Sequence, residues 1–320
     1  MEASAEHFVH LDSMTISEAA TKINDDGIQI LIITSGYNQG MKMEIPALKP
    51  APIQVMYIGY HESLQTDFID YAFGDNIVLT EENRQYYSEN LVTLPPSYLF
   101  SSEMQSNNEA SKAFYNLPED QFVLGCLNHP RKLSPDIFDA WLTILKEAPN
   151  AVLWLYNAGE KELENNLRET AKRKGVSPDR IIFCGNVHFQ DHYNRLKLID
   201  LFLDTPVYNG HTTCLEALWM SVPILTVVGD SVSARMCASF LHAMNVSDMV
   251  VNNLEDYISK AVHIASDKLV HQNLIERFKK GRMESMLFET PARVKNLEKA
   301  FTIMWSKYEK DEPPSDINLN

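Results

Sequence analysis

Short apolar runs alternate along this chain with longer amphipathic stretches, and that alternation restricts the fold more than any other feature. The runs are Ile28–Thr34, Ile53–Ile58, Phe122–Leu127, Ala151–Tyr156, Arg180–Cys184, Leu198–Leu203 and Pro223–Val228. They are short, rich in Val, Ile and Leu, and lack the polar alternation of a half-exposed strand. Parallel strands buried on both faces read this way. Between them the pattern predicts helices over Thr15–Ile23, Pro135–Glu147, Lys161–Lys174, His188–Lys197, Thr212–Met220 and Val232–Ala243. The expected class is α/β with open, doubly wound sheets.

At 320 residues the chain has room for about two domains. A polar stretch over Tyr98–Tyr115 reads as a linker, and a second unit begins after Leu117-Pro118-Glu119-Asp120. The expected division is residues 1–116 and 117–290. Four helical segments close the chain, and the last, over 291–310, packs back on the body through a stripe of Val294, Leu297, Ala300, Phe301, Met304 and Trp305. Residues 311–320 are expected to be a solvated tail.

Composition narrows the partners. Lys and Arg total 28 against 43 Asp and Glu, a net charge of −15. Such a field repels nucleic acid and anionic membranes. The four cysteines, Cys126, Cys184, Cys214 and Cys237, are far apart in sequence and form no CxxC pair. They read as reduced thiols rather than a zinc site, which points to cytoplasm or nucleus. The amino end shows no secretory signal, and no apolar run is long enough to span a bilayer.

Three segments follow predicted strands of one sheet and so leave it at the same edge. In the first, Asp204-Thr-Pro-Val-Tyr-Asn-Gly-His-Thr-Thr leads from a strand into a helix that starts at His211, Thr212 and Thr213. A helix start at a strand's carboxyl end directs free N–H groups and a positive dipole end into the ligand crevice, which suits phosphate. Glu216 shares that helix face, one turn on, where it could accept ribose hydroxyls. The same residues also fit an ordinary Thr-started helix with a solvated Glu. The second segment carries Asn128, His129, Arg131 and Lys132, and its lysine could neutralise a diphosphate or simply be solvated. The third, after Cys184, offers the backbone of Val187 and the ring of His192 to a nucleotide base, or is a plain surface helix. No GxxxxGK[ST], GxGxxG, HExxH or GxSxG pattern is present, and no Asp-x-Asp follows a strand.

In this order the segments resemble the catalytic domain of protein O-GlcNAc transferases. The resemblance runs nearly end to end, through residues 7–11, 26–32, 36–37, 47–54, 117–120, 152–155, 204–206 and 209–213, and takes in Met304-Trp305. It implies a GT-B glycosyltransferase of two Rossmann-like lobes whose amino lobe is incomplete here. It also implies inverting transfer of N-acetylglucosamine from UDP-GlcNAc to Ser and Thr hydroxyls of intracellular proteins, with no metal and no cofactor. Lys132 becomes the lysine that stabilises the leaving diphosphate. His211, Thr212 and Thr213 become the phosphate-binding helix start, His192 with Val187 the uracil site, and Glu216 stands for a ribose-binding Asp. His129, Tyr208 and Gly59 complete the expected donor-binding set.

The chain also departs from the family. His129 stands for Gln, Tyr208 for Cys, Phe189 for Lys, and His61-Glu-Ser-Leu-Gln for a Pro-Gly-Thr-Ser-Gly loop. The family's upstream histidines and tetratricopeptide helices have no counterpart, and no residue stands out as the general base. Two other readings remain: a Spindly-type protein O-fucosyltransferase using GDP-fucose, and a non-catalytic nucleotide-sugar-binding scaffold.

Overall fold

A computed structural model of the chain describes residues 5–38, 40–101, 104 and 110–319. The expected linker therefore lies partly outside the described residues. The chain divides into two compact units, Met1–Tyr98 with Val294–Asn320, and Leu99–Arg293. Those boundaries replace the expected breaks at 116/117 and 290/291.

The first unit opens with α1 (Ile16–Asp25), β1 (Ile30–Ile33), α2 (Glu44–Ala47), β2 (Ile53–Met56), β3 (Tyr71–Gly74), α3 (Glu81–Arg84) and β4 (Asn90–Thr93). Local chemistry starts its helices. Thr15 caps α1 in a full capping box with Glu18, and the Thr80 side chain accepts from Asn83 N–H at the start of α3.

The second unit follows with β5 (Phe122–Cys126), α4 (Pro135–Glu147), β6 (Ala151–Tyr156), α5 (Lys161–Arg173), β7 (Ile181–Cys184) and α6 (Phe189–Leu196). After these come β8 (Leu201–Leu203), α7 (Thr212–Trp219), β9 (Ile224–Val227), α8 (Met236–Ala243), β10 (Val250–Val251), α9 (Leu254–Ser266) and α10 (Lys268–Glu284). Ser134 caps α4, Pro135 sits in its first turn, and the stripe Ile137, Phe138, Trp141, Leu142, Ile144 and Leu145 is buried. The predicted helix Val232–Ala243 is instead a 3₁₀ turn at Val232–Ala234 followed by α8.

The chain ends with α11 (Thr290–Glu309) and β11 (Ile317–Asn318). The first unit's sheet runs β1-β2-β3-β4-β11, all parallel. The expected solvated tail is thus corrected: Ile317 is buried and pairs with Val92, and Asp316 accepts from Leu91 N–H at 2.8 Å. In α11, Ala300 and Met304 are buried and Phe301 packs edge-on against Phe73, but Val294 of the expected stripe is exposed.

The second sheet runs β10-β9-β8-β5-β6-β7, again all parallel. The chain goes outward from β5 to β7, then returns to β5's other side and goes outward again from β8 to β10. The strand order therefore reverses between β5 and β8. In open α/β sheets, ligands bind in the crevice outside the strands' carboxyl ends at such a switch point. Val123, Leu124, Leu153, Trp154, Leu201, Phe202, Leu203, Ile224 and Leu225 are fully buried beneath it. At about 1.5–3 kcal/mol for each large apolar side chain, this layer is the rigid floor of the crevice.

Candidate functional site

The loop that leaves β8 is held by Asp204, which is wholly buried. Its Oδ1 accepts from Gly210 N–H at 2.8 Å and from Asn128 Nδ2 at 3.0 Å, and its Oδ2 accepts from Thr226 at 2.9 Å. Burial pushes the Asp204 carboxyl up, while those hydrogen bonds pull it down. Tyr257 of α9 donates to the Asp204 carbonyl at 3.1 Å and accepts from Trp141 of α4 at 3.2 Å. The loop thereby hangs from two helices as well as from its own strand. Asn209, also buried, accepts from Cys237 N–H at 3.1 Å and donates to the Thr205 carbonyl at 2.9 Å. Gly210 is the one residue that fits its place: an added Cβ would lie 2.4 Å from Asn128 Oδ1 and 2.7 Å from Cys214 Sγ.

This loop delivers the start of α7. His211 precedes the helix, and no side chain caps it, so the first-turn N–H groups of Thr212 and Thr213 remain available at the positive end of the dipole. The His211 ring itself is buried; its Nε2 donates to the Ser233 carbonyl at 3.3 Å, and Tyr208 stacks on it with centroids 4.9 Å apart.

Lys132 arrives from the β5 side of the switch point. Its Nζ donates to the Asn209 carbonyl at 2.7 Å and lies 4.3 Å from the centroid of the Tyr208 ring. Burial lowers the Lys132 pKa below the ordinary lysine value, and the neighbouring Asp204 acts in the opposite direction. Lys132, Arg131, His129 and Tyr208 line a cleft of about 280 Å³. His129 is exposed, and its Nδ1 accepts from Arg131 N–H at 3.2 Å.

The third segment meets α7 from the far side. His192 Nε2 lies 3.1 Å from Glu216 Oε2, so the expected base and ribose residues touch each other. Val187 is half-buried in the loop before α6, beside a separate cavity of about 540 Å³ that also borders Tyr115 and Asp191. Gly59 belongs to the first unit, just beyond β2, where a Cβ would strike the Thr34 carbonyl at 2.1 Å. The structure thus brings Lys132, Tyr208, His211, Thr212 and Thr213 together at one crevice, with Glu216 one turn further along α7 and His192 of α6 against it.

Sequence reasoning assigned no role to Arg195, Asp204 or Asn209. Arg195 is 3% exposed and sits one turn after His192, a spacing that flags a buried charge on the same helix face. Among the described residues, Asp204, Cys214 and Cys237 form a group with metal-ligand spacing. They do not fit a metal: both Asp204 oxygens already accept hydrogen bonds, and burial pushes Cys214 well up and Cys237 to about 11, away from the thiolate that ligation needs. No helix among the described residues is long and apolar enough to cross a membrane.

Comparison with known proteins agrees with this geometry. The chain is 37% identical, over its whole length, to a protein of Arabidopsis thaliana described as a probable UDP-N-acetylglucosamine–peptide N-acetylglucosaminyltransferase, SEC; the match covers 33% of that protein. The Caenorhabditis elegans UDP-N-acetylglucosamine–peptide N-acetylglucosaminyltransferase is 25% identical over 99% of the chain and 37% of its own length. The chain therefore spans about a third of the length of these curated relatives. Among solved structures, a mutant of the Thermobaculum terrenum O-GlcNAc transferase superposes with a TM-score of 0.88 at 26% identity, over 95% of this chain and 58% of that one. The lipopolysaccharide-biosynthesis glycosyltransferase WaaG, at 14% identity and a TM-score of 0.52, shares the fold alone. The expected GT-B class is the one found. Residues 1–108 and 102–297 match the profile of glycosyl transferase family 41, and the chain belongs to that family.

Proposed function

We propose that this chain handles the donor in an inverting protein O-GlcNAc transferase, moving N-acetylglucosamine from UDP-GlcNAc to Ser and Thr hydroxyls of proteins. The observation that carries the reading is the meeting, at the β5/β8 switch point, of the Lys132 ammonium with the uncapped start of α7. A diphosphate placed there would meet one side-chain cation and the N–H groups and hydroxyls of Thr212 and Thr213, enough positive potential to act without a metal ion. The acceptor hydroxyl oxygen bonds to the anomeric carbon opposite the diphosphate, and its proton passes to solvent water. The bond to the β-phosphate oxygen breaks, and its electron pair leaves with UDP. Lys132 stabilises that charge, and His211 with Tyr208 keeps the loop in place. His192 and the Val187 backbone take the base, Glu216 the ribose, and His129 the remaining donor contacts. The four free cysteines suit the cytoplasm or nucleus.

The SEC relative at 37% identity and the relatives described as SPINDLY at 26–28% are all described as probable UDP-N-acetylglucosamine–peptide N-acetylglucosaminyltransferases, which supports a uridine donor. Calorimetric titration with UDP, with GDP and Lys132→Ala as controls, tests the reading. Saturable binding of UDP in preference to GDP, weakened about tenfold or more by Lys132→Ala, is expected from the loss of a charge-assisted hydrogen bond. Preference for GDP would favour the fucosyl alternative. Binding of neither nucleotide, or full UDP affinity in the variant, would overturn the proposal.

A further inference from the structure

The two sheets have four outer edges, β1 and β11 in the first unit, β10 and β7 in the second. An open strand edge invites pairing with another chain, and proteins blunt such edges with short strands, charges or covering side chains. Three of the four are treated in this way. β10 and β11 are two residues long. β7 has the Arg168 guanidinium 5.1 Å from its Phe183 ring, and Arg180 stands just before it. β1 is a run of four aliphatic residues, Ile30–Ile33, with none of these devices. Among the described residues it pairs with β2 and has no neighbour on its other side.

The ladder to β2 fixes which groups face outward. Ile53 N–H donates to the Gln29 carbonyl at 3.3 Å, and Tyr57 N–H donates to the Ile33 carbonyl at 3.1 Å. Backbone groups alternate in direction along a strand, so the odd-numbered residues bond to β2 while Ile30 and Ile32 turn their N–H and C=O groups away from it. The side chains of Ile28, Ile30 and Ile32 share one face and line a cleft of about 640 Å³, whose far wall is Phe301 and Trp305 of α11. Ile28 and Ile32 are 38% and 39% exposed. Outward backbone groups and an apolar cleft therefore lie side by side along this edge.

Charge selects the occupant. At a net charge of −15 two copies of the chain repel each other over most of their surface, but residues 27–41 carry no charge at all. We propose that β1 is a dimerisation edge, on which a second copy of this chain pairs antiparallel about a twofold axis with Leu31 opposite Leu31. Ile30 of each copy then exchanges both backbone hydrogen bonds with Ile32 of the other. Asp25 and Asp26, which precede β1, meet the uncharged residues beyond Ile33 of the second copy rather than its acids. The twofold axis keeps each face of the sheet on its own side, so the three isoleucines of both copies fall on the face that carries the cleft, and the two clefts merge into one apolar core. The inference is independent of the donor reading, whose residues Lys132, Thr212 and Thr213 lie in the other unit.

Sedimentation velocity of the full chain over about 1–100 µM, with amide hydrogen exchange at both ends of that range, tests the proposal and needs no variant. The mass is expected to rise from 36.5 kDa to twice that value. The Ile30 and Ile32 amides are expected to slow by about tenfold or more over the same range. Two variants locate the contact. Ile32→Lys puts a charge on the edge at a half-exposed position, and Ile30→Pro removes an N–H that the ladder to β2 does not use. Each is expected to weaken the dimer at least about tenfold, with an unchanged far-ultraviolet circular dichroism spectrum. A monomer at every concentration, or an assembly that grows past two copies, would overturn the proposal. So would a dimer in which those two amides exchange as fast as in the monomer, or one that both folded variants keep at full strength.

Discussion

Asp204→Ala is the sharpest test of how the loop between β8 and α7 is held. The carboxylate is fully buried and receives the Gly210 N–H, the Asn128 amide and the Thr226 hydroxyl. Removing it strands three buried donors, each worth about 1–3 kcal/mol when left unsatisfied. One of them has another partner: Asn128 Nδ2 also donates to Thr205 at 2.9 Å, whereas the Thr226 hydroxyl otherwise only accepts, from Asn209 at 3.4 Å. Relief of the buried charge offsets a further part, which leaves a loss of about 3–5 kcal/mol. Asp204→Asn keeps an acceptor toward Gly210 and turns its amide toward a hydroxyl that can accept, so about 1–2 kcal/mol is expected. Urea unfolding followed by tryptophan fluorescence reads mainly the relevant unit, since three of the four tryptophans, Trp141, Trp154 and Trp219, lie within Leu99–Arg293. The pH dependence carries a sign. Burial raises the native carboxyl above its ordinary 3.8, so the native state holds the proton more tightly than the unfolded chain. That contribution is present at low pH and is lost as pH rises from about 3.8 through the native value. Asp204→Asn should abolish the decline. A loss below about 1 kcal/mol in Asp204→Ala, or equal losses in the two variants, would refute the account of the loop.

Three further outcomes follow from the same structure. UDP affinity should fall at alkaline pH as the Lys132 ammonium loses its proton, at a lower pH than the ordinary lysine value of 10.5 because burial lowers its pKa; calorimetry across pH checks this, and no fall below that value would contradict it. Ile317→Ala should destabilise the first unit by about 2–4 kcal/mol, read in thermal or urea unfolding, because the side chain is 5% exposed beside β4; a neutral change would show that the closing strand contributes nothing. Trp154→Phe should lose less than about 2 kcal/mol in urea unfolding, because among the described residues its buried Nε1 has no partner and the change removes that orphaned donor. A loss as large as the roughly 3–5 kcal/mol of a Trp→Ala change would show that the indole nitrogen is satisfied.

Long-period patterns in the chain made most of the second unit readable before any coordinates. β5, β6, β7, β8 and β9 fall within predicted runs because each is a continuous apolar stretch, and α4 was legible because its stripe and cap are local. β3, β4, β10 and β11 escaped notice. Tyr71–Gly74 and Asn90–Thr93 are short and carry Gly, Asn and Thr, and Ile317–Asn318 is a strand only because β4 offers it an open edge.

The proposed donor site divides along the same line. Lys132, the His211-Thr212-Thr213 helix start, His192 and Glu216 were legible because strand ends and helix starts are written locally, and because their order resembles a known family. Asp204 is inward-facing and its partners come from β5, β9 and the loop itself, so no spacing along the chain reveals that it holds Gly210 in place. Tyr208 gave no sign that it would lie between Lys132 and His211, and Arg195 looked like any helix-surface arginine until burial turned it toward His192. Hydrophobic period and capping act over a few residues, so the sequence by itself determined the elements and the edge from which the site residues leave. Hydrogen bonds between residues 77 apart, such as Lys132 to Asn209, form only when β5 and β8 lie side by side, and that pairing was decided by the tertiary structure alone.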